Sequence, residues 1–470
     1  MAGKTLLVLG ALSALLHFQA GAQSATDMTV LRGLAPVTVL SKSPEGRAAI
    51  GANFVVTGGI QNGTIRQATL LPLAEQQQQA LRDVFITYDN LAELADGLGT
   101  TLGAGYVARA HYIDQTHFTS LSPAVDDVIA YANATTGANS NSGKYFFANA
   151  TTNGTAPVSS EAMAILTGLG GDTDIYGKSY GLPAGTSGAD AYGNSRPFQT
   201  EPGITRIVGQ DYFNNPADNW VYNRGPVMNL INSPSFPSGH TTYGYTGALL
   251  LAILVPERYQ EMIARGAEYG NDRILVGAHY AMDVMGGRTL ATYDLAHLLA
   301  NDPAYVGQPL QGVPPIKDFQ AAIAAARAET IKVLQAACGK TIAECAHEDT
   351  GRFNSPAANE AFYASTETYD LPVVYAANAH QVEDVGKLAP EAGYLLKLAF
   401  PALTLEQADQ ILTETEGPGG GFLDNGTPFG VYSRLNLYAA AGRAATWVSA
   451  HSSTARPESV SSKKSSPARD

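Results

Sequence analysis

Six residues between Pro237 and Asp283 carry groups able to do chemistry at suggestive spacings. Ser238, Gly239 and His240 follow Pro237 directly, and Arg273, His279 and Asp283 come later in the same stretch. An imidazole attacks through one ring nitrogen only when the other holds the proton. A carboxylate four residues beyond His279, on the same helical face, is placed to fix that tautomer. His240 supplies a second imidazole for proton transfer to a leaving group. Arg273 and Arg196 are candidate anion clamps, because a guanidinium offers planar paired donors. A Ser-Gly turn opening a helix adds backbone N–H groups aimed at an anion, so Ser238 and Gly239 join the anion-binding set. The combined chemistry is capture of a tetrahedral phosphate and cleavage of its ester bond, with His279 as nucleophile, Asp283 as its orienter and His240 as acid and base. Each residue also has a structural reading: His240 as a cap, Arg273 with Asp272 as a charge cluster, His279 with Asp283 as a packing hydrogen bond.

The elements that must position these residues read as mainly helical. Thr241–Leu254 is apolar nearly all round and predicts a buried helix. Pro256 opens a helix continued by Glu257–Tyr269, and Tyr280–Ala300 forms another, stopped by Asn301-Asp302-Pro303. Arg273 stands six residues before His279, poor spacing for one helical face, so it belongs in the turn or helix end before it. Glu75–Ala95 has apolar residues recurring at three and four and predicts a helix. Ala124–Ala132 and Ser160–Leu169 predict shorter ones. Residues 23–46 read as extended or irregular, and Gly170–Ala191 and Gln210–Asn232 as loops. After Pro314-Pro315 the composition changes. Asp318–Ala337, Pro390–Phe400, Leu405–Thr413 and Leu435–Ala445 predict helices, and Ser452–Asp470 a disordered tail.

The chain has 470 residues, 45% hydrophobic and 15% charged, as suits a globular protein with a sizeable core. A net charge of −13 argues against nucleic acid or an anionic membrane surface as partners. Lys4, the apolar run Thr5–Phe18 and the small residues Ala20-Gly21-Ala22 form the pattern of a cleaved export signal over residues 1–22. That places the mature protein in the periplasm or outside the cell. No segment is long enough for a stable membrane span. Cys338 and Cys345 are candidates for one local disulfide in an oxidising compartment, two separate buried thiols being the alternative. The sequons at Asn62, Asn133, Asn149, Asn153 and Asn425 would mark exposed loops in a glycosylating host. Oligomeric state is not readable.

The pattern resembles the type 2 phosphatidic acid phosphatase superfamily, which includes bacterial non-specific acid phosphatases and vanadium haloperoxidases. Its signature is Lys-x6-Arg-Pro, then Pro-Ser-Gly-His, then Ser-Arg-x5-His-x3-Asp. Pro237–His240 matches the second part. Arg273, His279 and Asp283 match the third, with Asp272 in place of the Ser. Arg196-Pro197 matches the end of the first part, but Ala189 stands where the Lys belongs. Lys178, eighteen residues before Arg196, either fills that role across a Gly-rich insertion or is an ordinary loop lysine. A carboxylate at 272 would repel phosphate, so it is expected to point away or pair with an arginine. The resemblance covers roughly Glu75 to Ala300 and implies the helical bundle of that superfamily, here residues 23–313, with a C-terminal helical extension over 314–451. It implies a secreted acid phosphatase acting on small phosphomonoesters through a phosphohistidine, with no metal or other cofactor. The alternative is a haloperoxidase holding vanadate in the same anion site.

Overall fold

The computed structural model describes residues 37–65, 70–85, 90–149, 196–201, 203–224, 234–310, 312–347 and 350–452, with Leu34 and Leu230. It is mainly helical, as expected. The longer helices are α1 (Pro44–Asn62), α2 (Leu73–Arg82), α3 (Thr100–Arg109), α4 (Pro123–Asn149), α5 (Gly239–Leu254), α6 (Tyr259–Leu275) and α7 (Ala281–Leu299). They continue with α8 (Phe319–Cys338), α9 (Pro356–Thr368), α10 (Leu405–Glu414) and α11 (Leu437–Ser452). Among the described residues the one sheet is a two-stranded antiparallel hairpin of β1 (Val208–Gln210) and β2 (Pro216–Asp218), with Gly209 opposite Ala217. The predicted helix at Ser160–Leu169, the loop 170–191, the export signal and the tail beyond Ser452 lie outside the described residues.

Helices α5, α6 and α7 form the centre. α5 is buried on every side from His240 to Leu254, as its unbroken apolar sequence requires. Its start is set by Ser238, whose Oγ accepts from the Thr241 N–H at 3.2 Å. α6 follows through the tight turn Pro256–Arg258 and runs past the predicted Tyr269 to Leu275, so Arg273 falls in its last turn. α4 is three times the predicted length and packs along α5.

Two predicted boundaries fail for physical reasons. α2 stops at Arg82 rather than at Ala95. At Asp83 the carboxylate turns inward to take Arg265, at 2.5 and 2.8 Å, and its carbonyl takes Arg273 at 2.6 Å. These distant partners outweigh local helix propensity. Residues 44–46, read as irregular, open α1: Ser43 caps it through Gly46 N–H at 2.9 Å, with Pro44 and Glu45 in the first turn. The Gln210–Asn232 stretch, read as loop, contains β2 and a short helix at Asn219–Arg224.

The segment after Pro314 shares a core with the central helices. One contiguous hydrophobic cluster takes Leu251, Met262 and Leu298 together with Phe319, Leu334, Phe362, Leu395 and Tyr438. Polar contacts cross the same boundary: Tyr259 Oη donates to the Leu395 carbonyl at 3.1 Å, and Arg327 donates to the carbonyls of Ile253 and Leu398. A second cluster surrounds the chemistry-bearing turns, with Phe54 and Ile60 of α1 against Phe198, Phe236, Tyr280 and Val284. Cys338 and Cys345 form a disulfide. Asn133 is 4% exposed within α4, so it is no exposed-loop glycan acceptor. Among the described residues no helix is long and apolar enough to cross a membrane.

Candidate active site

His279 does not share a helical face with Asp283, as the spacing suggested. It lies in the turn before α7, and Asp283 sits in the first turn of that helix. The turn is tightly held. Gly277, at φ +72°, reverses the chain, and its carbonyl accepts from Phe198 N–H at 3.1 Å. Asn219 and Asn223 donate to the Val276 carbonyl at 3.2 and 2.7 Å. The first N–H groups of α7 are satisfied by α1, with Ala281 donating to Thr57 Oγ1 and Met282 to Asn53 Oδ1, both at 3.0 Å. A helix that the sequence pattern did not flag therefore fixes the element carrying Asp283.

Three segments converge on the His279 ring, which is fully buried. Arg196 lies just before the short helix Pro197–Thr200, where Gln199 accepts its backbone N–H at 2.7 Å. Its Nη1 lies 2.8 Å from His279 Nε2 and also donates to the Ala278 carbonyl at 3.2 Å. Its Nη2 donates to the Pro234 carbonyl at 3.1 Å. An arginine is only a donor, so Nε2 carries a lone pair and, in neutral imidazole, Nδ1 carries the proton. Nδ1 faces Ser235 Oγ at 3.3 Å and Asp283 Oδ2 at 3.4 Å. Ser235 Oγ donates to Asp283 Oδ2 at 2.5 Å, and Tyr280 N–H reaches the same oxygen at 2.8 Å. Ser235 is thus a partner of both residues that the sequence reading missed. The available signal was a hydroxyl three residues before Ser238, too common to single out. Burial pushes Asp283 up to about 7, against the lowering effect of Ser235, Tyr280 N–H and Arg196.

His240 stands in the first turn of α5, 7% exposed, with its ring centroid 6.4 Å from that of His279 and the planes tilted by 58°. The approach of Pro237–His240 to α7 depends on small residues. A Cβ at Gly287 would lie 2.7 Å from the Ser238 carbonyl oxygen, and one at Gly286 would strike the Phe236 ring. Ser238 N–H then donates to the Asp283 carbonyl at 3.0 Å, tying the motif to the helix. Ser238 Oγ is occupied as the helix cap and accepts from Thr241 Oγ1 at 2.9 Å, though its own proton remains available to donate. Gly239 follows in the first turn.

Arg273 is fully buried. Its Nη1 is anchored on the Asp83 carbonyl at 2.6 Å, while Nε and Nη2 have no hydrogen-bond partner among the described residues. Unmatched guanidinium donors in a closed interior fit an anion. Burial pulls Arg273 below its ordinary value, and Tyr269, Asp272, Asp83 and Glu93 act against that.

Of the two expectations for Asp272, to point away or to pair with an arginine, the pairing is not met among the described residues. Neither of its carboxyl oxygens meets a hydrogen-bond donor among the described residues. Burial, followed by Asp83 and Glu268, raises it well above the carboxylate range. Both effects favour the protonated form of Asp272, which does not repel an anion. Behind it, Arg265 pairs with Asp83 and Asp96, and Arg352 pairs with Asp96 and Glu268. Lys178 lies outside the described residues.

Residues 175–301 match the PAP2 superfamily, which bears out the resemblance read from the motifs and begins further along the chain than Glu75. The chain is 47% identical over 69 residues to the non-specific acid phosphatase of Salmonella typhimurium, covering 15% of this chain and 28% of that protein. It is 44% identical over 64 residues to the acid phosphatase of Zymomonas mobilis, covering 14% and 24%. It is 38% identical over 72 residues to the non-specific acid phosphatase of Providencia stuartii, covering 15% and 29%. The match spans 24% to 29% of the length of these relatives.

Proposed function

We propose that this protein is an acid phosphatase that hydrolyses small phosphomonoesters through a phosphohistidine on His279. The observation that carries the reading is the polarity of that ring. An arginine donor sits 2.8 Å from Nε2, and Ser235 and Asp283 face Nδ1. Nε2 attacks phosphorus, and the bond from phosphorus to the ester oxygen breaks. His240 gives its proton to the departing alkoxide. It then takes a proton from water, which attacks phosphorus, breaks the N–P bond and releases orthophosphate. Arg196, Arg273 and the N-terminus of α5 supply the positive charge for the phosphoryl oxygens, so the chemistry calls for no metal. Partial identity to acid phosphatases supports the same reaction class. Export is part of the proposal, supported by the leader pattern of residues 1–22 and by the Cys338–Cys345 disulfide. Lys178 is retained as a candidate phosphate ligand.

The test is turnover of p-nitrophenyl phosphate in EDTA, set against bromide oxidation with peroxide and vanadate. Phosphate release in EDTA is expected. Bromide oxidation without phosphatase activity would make the anion site a vanadate centre instead.

A further inference from the structure

The hydroxyl of Ser140, on α4, is buried and unused. Ser140 is 2% exposed, and its Oγ has no hydrogen-bond partner among the described residues. A helical serine ordinarily turns back to a carbonyl of the preceding turn, so an unpartnered one in the interior calls for a reason. Its position supplies one. A side chain built at Gly239 would meet only Ser140 Oγ, at 3.8 Å, so the space over the first turn of α5 opens toward that hydroxyl. α4 is held in register there. Asn139 donates to Asp294 of α7 at 2.7 Å, and Thr246 of α5 reaches Thr136 at 3.5 Å. Gly137 lies against the Tyr243 hydroxyl, where a Cβ would approach to 2.7 Å.

We propose that Ser140 Oγ–H is an additional donor to the anion bound at the N-terminus of α5, completing from α4 a phosphate site otherwise built by Arg196, Arg273 and the Pro237–His240 turn. This rests on the phosphatase reading of the same site. The hydroxyl contacts the phosphoryl oxygens, whose negative charge is present in substrate and product alike. It therefore acts on binding more than on the chemical step.

The measurement is the affinity of the full chain for orthophosphate, by calorimetry and by competitive inhibition of p-nitrophenyl phosphate turnover. Ser140→Ala is expected to weaken orthophosphate about 10- to 100-fold, the scale of a lost hydrogen bond to a charged acceptor, and to raise KM with kcat nearly kept. Ser140→Cys keeps the volume but offers only a weak donor, and it serves if the alanine variant folds poorly. It is expected to lose affinity too. Wild-type affinity in either folded variant would overturn the proposal and leave Ser140 as a small residue that lets two helices approach. A wild-type chain that neither binds orthophosphate nor cleaves the ester would instead sink the phosphatase reading beneath it.

Discussion

At the scale of single residues, the proposed nucleophile His279 has the two nitrogens of its ring held in different surroundings within a closed interior. Arg196 donates toward Nε2, which assigns the ring proton to Nδ1, and Ser235 links Nδ1 to a carboxyl that burial pushes up to about 7. Ser235 touches His279 and Asp283 but no reacting atom, so it is a positioning residue. Ser235→Ala is expected to lower kcat about 10-fold or more while leaving KM nearly unchanged, read by steady-state kinetics. An unchanged kcat would remove Ser235 from the mechanism. His240, Arg273, His279 and Asp283 could be named from the sequence as candidates because their types, at that spacing, suit one reaction. Ser235 was not, because a hydroxyl gains meaning only from a partner 44 residues away. Asp272 looked like a liability in sequence. Its upward shift follows from burial and from Asp83, neither of which local sequence shows.

At the scale of elements, the three central helices could be read because an apolar run, a proline start and an Asn-Asp-Pro stop are local signals. α1 carries local signals of its own, Ser43-Pro44-Glu45 at the start and Gly63 at the end. Its importance is long-range, however: Asn53 and Thr57 cap a helix more than 220 residues away. The short α2 shows the reverse case, where partners distant in sequence cut a periodic pattern. Close approach of the Pro237–His240 turn to α7 depends on Gly287, where a Cβ would press on the Ser238 carbonyl. Gly287→Ala is expected to destabilise the fold by about 1–3 kcal/mol through overpacking. It should also cut kcat by roughly 10²-fold through misplacement of His240. Denaturant unfolding and kinetics on the same preparation check both. A variant with full activity and stability would show that the turn does not need this contact.

At the scale of the whole molecule, buried carboxyls set the response to pH. Burial raises Asp283, Glu367, Asp409 and Glu416, each to about 7, and raises Glu93 and Asp272 as well. A carboxyl raised on folding favours the folded state below its unfolded value, near 4. That contribution is lost as pH rises through the folded value. Asp96 acts the other way: burial raises it, but Arg265 and Arg352 outweigh that and hold it near about 2, so its contribution is lost only in strong acid. The melting midpoint is therefore expected to be higher at pH 5 than at pH 8, by a few degrees or more in calorimetry. A midpoint that is flat or rises toward pH 8 would contradict the raising of these carboxyls by burial. Such acid tolerance suits the proposed acid phosphatase, in which His240 would act as a proton donor.

The most direct test of the central claim is to trap the covalent intermediate. The His240→Ala chain is mixed with labelled p-nitrophenyl phosphate, whose leaving group needs little proton assistance, quenched in alkali and mapped by peptide mass spectrometry. The predicted result is a phosphoryl group on the peptide carrying His279, absent when His279→Ala is added. Turnover surviving in His279→Ala, or a phosphoryl group on another residue, would contradict the account.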